Sequence, residues 1–103
     1  DMVAAENIAH EWISIDAIEN PAKANAFFHL GQISEARNDS EGALEFYIRG
    51  CELDSSSVNS FHAAILLEKA GDTSRARELL VDYLPHATGW RLEWTRKVID
   101  RLD

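Results

Sequence analysis

Two histidines, His29 and His62, stand 33 residues apart, each directly after a phenylalanine. On neighbouring helices their imidazoles could approach to about 10 Å, the spacing of packed helices. Such a pair could hold a metal or trade a proton. Zinc needs a third protein ligand, and no Cys or carboxylate stands at ligand spacing beside either ring. Both therefore read as packing residues, with His10 and His86 at the surface. Cys51 is the only cysteine and follows Tyr47 by four residues, so the two share a helical face that should turn inward. It reads as core filler rather than a nucleophile. It leaves no internal disulfide and favours a reducing, cytoplasmic compartment. No nucleophile elbow, phosphate loop, zinc-finger spacing or calcium loop occurs. The expectation is no enzyme, no metal and no cofactor.

The elements that position these residues are helices. Asn20-Pro21, Asn38-Asp39-Ser40, Asp54 to Ser57, Gly71 to Ser74 and Pro85 to Gly89 are turn-rich breaks. They leave six segments, none with sustained strand-like alternation. In the first, Ala5, Ile8, Trp12, Ile15 and Ile18 recur at steps of three and four, which predicts a buried stripe. Asn20, with Pro21 in the first turn, Asp39, Ser57, Asp72 and Thr88 are the expected N-caps.

Charge narrows the company these helices can keep. The 103 residues carry 18 acidic and 10 basic side chains, a formal net charge of -8. Binding to nucleic-acid phosphates needs clustered Lys and Arg, so it is not expected, nor is adhesion to an anionic membrane. The longest apolar run, Ala63 to Leu67, is too short to cross a bilayer. The imbalance is local: residues 1–89 sum to -9 and residues 90–103 to +1. That basic end reads as a solvated helix face, or as a docking edge for an acidic neighbour.

The strongest signal is self-similarity. At an offset of 33, Phe28-His29 falls on Phe61-His62, Glu35 on Glu68, Asp39 on Asp72, Ala43 on Ala76 and Glu45 on Glu78. At an offset of 34, Ala43, Phe46, Tyr47 and Asp54 fall on Ala9, Trp12, Ile13 and Asn20. A period of about 33 suits two antiparallel helices and a turn, a unit that cannot bury its apolar faces alone. Small residues recur where helices must approach closely (Gly31, Ala64, Ala43 and Ala76), with Phe27, Leu30, Phe46, Leu67 and Leu80 filling the space around them.

The run Phe27-Phe28-His29-Leu30-Gly31, followed by Ala43, Phe46-Tyr47 and Leu53-Asp54, resembles a tetratricopeptide repeat (TPR). Leu30-Gly31 matches that family's Leu-Gly pair, Phe27 its leading aromatic and Ala43 its small second-helix residue. Ser34, Gly50 and Ser55 depart from the pattern, and Ala63-Ala64 replaces Leu-Gly in the weaker second repeat. The resemblance implies an all-α, right-handed superhelical stack of antiparallel helix hairpins, a TPR-like α-solenoid of about six helices. One domain would span 1–103. Residues 1–20 would be the second helix of a preceding half repeat, 24–57 one repeat, 58–84 the next and 88–103 a capping or extra helix. A chain that starts within a hairpin suggests a fragment of a longer array.

In TPR proteins the first helix of each pair lines a concave groove that holds a partner's peptide or helix. Carried over, the groove pattern gives Asn25, Phe28, Gln32 and Glu35, then Val58, Phe61, Ile65 and Glu68. Phe28 and Phe61 would be aromatic anchors. The basic residues of the carboxylate-clamping subtype are missing from these places. The aromatic floor and the Glu35 and Glu68 rim favour an apolar or helical segment with basic flanks. On the last helix Trp90, Trp94, Val98 and Leu102 form a ridge, and Glu93 with Lys97 and Arg96 with Asp100 are spaced to pair. That helix would cap the stack, or begin another repeat. As an alternative function, Trp90, Trp94 and Val98 would form a homodimer seam in a structural spacer.

Overall fold

The structure, a computed structural model, describes residues 2–14 and 20–102. Its helices are α1 (Met2–Ser14), α2 (Asn20–Ala36), α3 (Ser40–Leu53), α4 (Asn59–Lys69), α5 (Thr73–Tyr83) and α6 (Gly89–Leu102). A short 3-10 turn, Leu84–His86, carries Pro85 between α5 and α6. Among the described residues there is no strand, and no helix is long and apolar enough to cross a membrane. The chain is all-α.

The breaks fall where polar turn residues compete with helix hydrogen bonding. Asp39 caps α3 by accepting from the Gly42 N–H at 2.9 Å, and Asp72 caps α5 by accepting from the Arg75 N–H at 3.2 Å. The turns before these caps are alike. Asn38 and Gly71 both adopt positive φ, 61° and 89°, where a side chain is strained and Asn or Gly is favoured. The Asp39 N–H donates to the Ser34 carbonyl, and the Asp72 N–H donates to the Leu67 carbonyl, 33 residues on. The Asn38-to-Glu35 bond recurs as Gly71-to-Glu68 at the same offset. Two turns of one design thus underlie the sequence period. Ser57 does not cap α4. That helix starts from Val58 without a side-chain cap, and the Ser57 hydroxyl accepts from Asn59 Nδ2 instead.

Each helix packs against the next in sequence, and α2 also meets α4. The predicted small residues sit at the crossings. Ala43 and Ala76 are fully buried, Ala64 nearly so, and a Cβ on Gly31 would run into the Tyr47 ring. Gly50 is held as closely by Asn59, whose amide donates at 2.8 Å to the Ala24 carbonyl and so ties α4 to α2 across α3. Leu30, Phe27 and Ala26 pack with Ala9 of α1 and Phe46 of α3. Tyr47, Ala43, Cys51 and Ala63 join α3 to α4, while Leu67, Leu80 and Val98 join α4, α5 and α6.

One expectation is overturned. Ala5, Ile8 and Trp12 do not form a buried stripe: all three are exposed, Ile8 by 55% and Trp12 by 46%. Among the described residues helix α1 packs chiefly on α2, through Ala9 and Ile13, one position round the helix, and touches α3 only at its edge, where His10 meets Phe46. Ile15 and Ile18 lie outside the described residues. On α6 the pairs Glu93–Lys97 and Arg96–Asp100 do not form. Arg101 reaches across to Glu68 of α4 instead.

Candidate interaction surface

The expected groove residues fall into three groups. Asn25, Gln32 and Glu35 are exposed along α2. Phe28, Val58, Ile65 and Glu68 are half-buried, and Phe61 is in the core at 6% exposure. Phe28 lies against α4, its ring centre 5.1 Å from that of His62, which stacks in turn on Tyr47 at 5.3 Å. Phe61, the equivalent of Phe28 on α4, packs on α6 at neighbouring register positions, 4.5 Å from Trp94 and 5.5 Å from Trp90. Phe61 therefore joins helices rather than lying open as an anchor, because two tryptophans cover it. The same packing takes Trp94 and Val98 out of the expected docking edge. Trp94 is half-buried and Val98 buried, leaving only Trp90 open, at 62% exposure.

Extending the 33-residue offset to α6 would have found these partners in the sequence. It places Trp94 on Phe61, Thr95 on His62, Val98 on Ile65, Arg91 on Val58 and Arg101 on Glu68. The expected groove set omitted this third row, and with it two cations. The Arg91 guanidinium lies 5.8 Å from the Phe61 ring centre and 5.2 Å from that of Trp90, within cation–π range. Arg101 pairs with Glu68, so that acidic rim residue is not free. Glu35 is also engaged, accepting from the Tyr47 hydroxyl at 2.5 Å. Burial first, and then the Glu35 carboxylate, push that phenol far above its ordinary range and keep it protonated.

The histidines are not brought together as a pair. His62 is half-buried between Phe28 and Tyr47, and desolvation lowers its pKa below the usual 6.5, against a weaker opposing pull from Glu35. His29 is exposed, with Asn25 Nδ2 at 3.4 Å from its Nε2. Among the described residues no cluster of three or more His, Cys, Asp or Glu is arranged for a metal. Cys51 is buried as expected; the Ser60 hydroxyl donates to its Sγ at 3.3 Å, and burial raises the thiol's pKa.

A broad apolar groove lies elsewhere. It runs between α1 and α2, about 530 Å³ in volume, walled by Met2, Ala5, Ile8 and Trp12 on one side and by His29, Gln32 and Ile33 on the other. Three exposed large hydrophobic residues of the chain, Met2, Ile8 and Trp12, stand in it. Asn25 and Gln32 of the expected groove set also line it, but Phe28 does not. Apolar side chains left open in such a cluster mark a surface that another element would cover. Comparison with family models, with curated proteins and with solved structures returns no match for this chain.

Proposed function

We propose that the chain is a protein-interaction module of the tetratricopeptide type, a right-handed superhelical stack of helix hairpins that receives a helix or peptide of a partner. Support comes from the two turns repeated at 33 residues and from the equivalent phenylalanines, each of which packs on a ring of the helix two elements on, Phe28 on His62 and Phe61 on Trp94. The observation that carries the reading is the uncovered apolar groove between α1 and α2. A stack that buries its internal faces so consistently leaves this one for company. The reading assigns no catalytic step and makes the module a part of a scaffold.

Titrating the labelled protein with basic and with acidic amphipathic peptides tests it. Basic peptides should shift the resonances of α1 and α2. Silence from both sets, or preference for the acidic one, would overturn it. A second reading, a structural spacer that dimerises through α6, draws on the exposure of Trp90 alone. It requires a dimer across concentrations in solution that Trp90→Asp abolishes.

A further inference from the structure

Resting on the interaction-module reading, we infer that the α1–α2 groove is a slot for one amphipathic helix of a separate polypeptide. That helix places an aromatic over His29 and a small residue three positions later, and turns Lys or Arg towards α1.

The chain describes the occupant itself, because it fills the two following slots with its own helices. His62 lines the slot beside α3 and α4, and α2 covers it with Phe28. Thr95 holds the same register on α6 and is fully buried, with Phe61 of α4 packed on its neighbour Trp94. His29 holds that register on α2 and is exposed. The next register position repeats the progression: Val98 is buried, Ile65 half-buried and Gln32 exposed. On the opposite wall Phe46 lies 6.3 Å from Phe27 of the covering α2, whereas Trp12, at the equivalent place on α1, is 46% exposed.

Both covering helices carry an aromatic followed three residues on by a small residue, Phe28 with Gly31 and Phe61 with Ala64. The small residue lets the covering helix settle on the helix behind it, as Gly31 does on Tyr47. An occupant obeying the same geometry needs the same pattern. The walls run from Met2 to Trp12 and from Asn25 to Ala36, about three helical turns. That matches the 11 residues of α4.

Charge selects the flank and argues against a second copy of this chain. Residues 1–20 contain five acidic side chains and no Lys or Arg. On α1 itself Glu6 is held by Arg37, and Glu11 is exposed. The groove lining itself carries no charge, so a basic flank would meet Glu11 on α1 outside it, and the overall charge of -8 would repel a second copy and speed a cationic partner.

The test uses a synthetic peptide of residues 57–72, which supplies the Phe-x-x-Ala stripe, with lysines at its non-stripe positions. Its controls are the glutamate counterpart and a lysine version bearing Phe61→Asp. Calorimetry should show the lysine peptide binding at least about tenfold tighter than either control. Amide shifts should concentrate on α1 and around His29, and Trp12→Asp in the protein should weaken binding about tenfold with its circular dichroism unchanged. Equal affinity for the lysine and glutamate peptides overturns the inference. Binding that ignores both Trp12→Asp and Ala36→Glu overturns it too, while leaving an interaction module that binds elsewhere. If no peptide of either charge binds, the module reading falls with it. A protein that dimerises alone and becomes monomeric with Trp12→Asp assigns the slot to a second copy. A longer polypeptide containing this chain that refuses the lysine peptide assigns it to a helix in cis. Either result defeats the separate partner.

Discussion

His62 and His29 occupy one register on α4 and α2, yet the first is stacked between Phe28 and Tyr47 while the second faces an open groove. Around His62, three helices converge and nearly every neighbouring side chain is committed. Tyr47 is fully buried with its hydroxyl on Glu35, and Gly31 lets α2 close on α3. Around His29 two helices meet, and among the described residues no third one covers it. Local sequence is similar at the two places, so what separates them is whether a covering helix is there. Similar stretches of sequence thus end in different packing according to what lies against them.

Substitutions in the covered region should be the most damaging. Tyr47→Ala removes a fully buried ring and should cost about 3–5 kcal/mol in denaturant unfolding. Gly31→Leu drives a side chain into that ring and should cost at least about 1–3 kcal/mol, with Tyr47→Ala partly relieving it in the double variant. Additive losses would show that Gly31 and Tyr47 do not meet. Next come the caps of the two matching turns. Asp39→Ala and Asp72→Ala should each cost about 1 kcal/mol, and a markedly unequal pair would break the equivalence of the turns.

In the uncovered region Ile8→Asp should change unfolding stability by no more than about 0.5 kcal/mol, because its side chain already faces water. A large loss there would mean that the wall is closed in solution. The smallest expected effect is a pH response. Desolvation lowers the folded-state pKa of His62, so the unfolded chain takes up the proton first as pH falls. His62 therefore contributes its full stability above about pH 6.5, and that contribution fades on acidification through the lowered folded value. The melting-temperature drop from pH 7.5 to about pH 5 should be smaller in His62→Gln than in the parent. An unchanged drop would mean that the covered imidazole is as well hydrated as a free one.

Much of this was legible in the residues. Helix existence followed from turn chemistry and apolar spacing, and Asp39 and Asp72 announced their caps. Gly31, Ala43, Ala64 and Ala76 marked the crossings, because a close approach permits no larger side chain. The open groove was not legible. The stripe of Ala5, Ile8 and Trp12 has the period of a buried face, but period reports that a helix has an apolar side and not that anything lies against it. Phe28 and Phe61 looked interchangeable for the same reason. Only the third row, Trp94 on α6, distinguishes them. Capping of α4 was missed because Ser57 spends its hydroxyl on Asn59 rather than on the helix backbone.

Cys51 is the chain's single cysteine, and it is shut between α3 and α4 with a thiol that burial holds in its protonated form. Only molecules that have momentarily parted those helices can be alkylated. The rate of labelling thus acts as a clock for breathing at the middle of the chain, read without any mutation. A helix seated at the far end would slow that clock only if the helices rise and fall as one body.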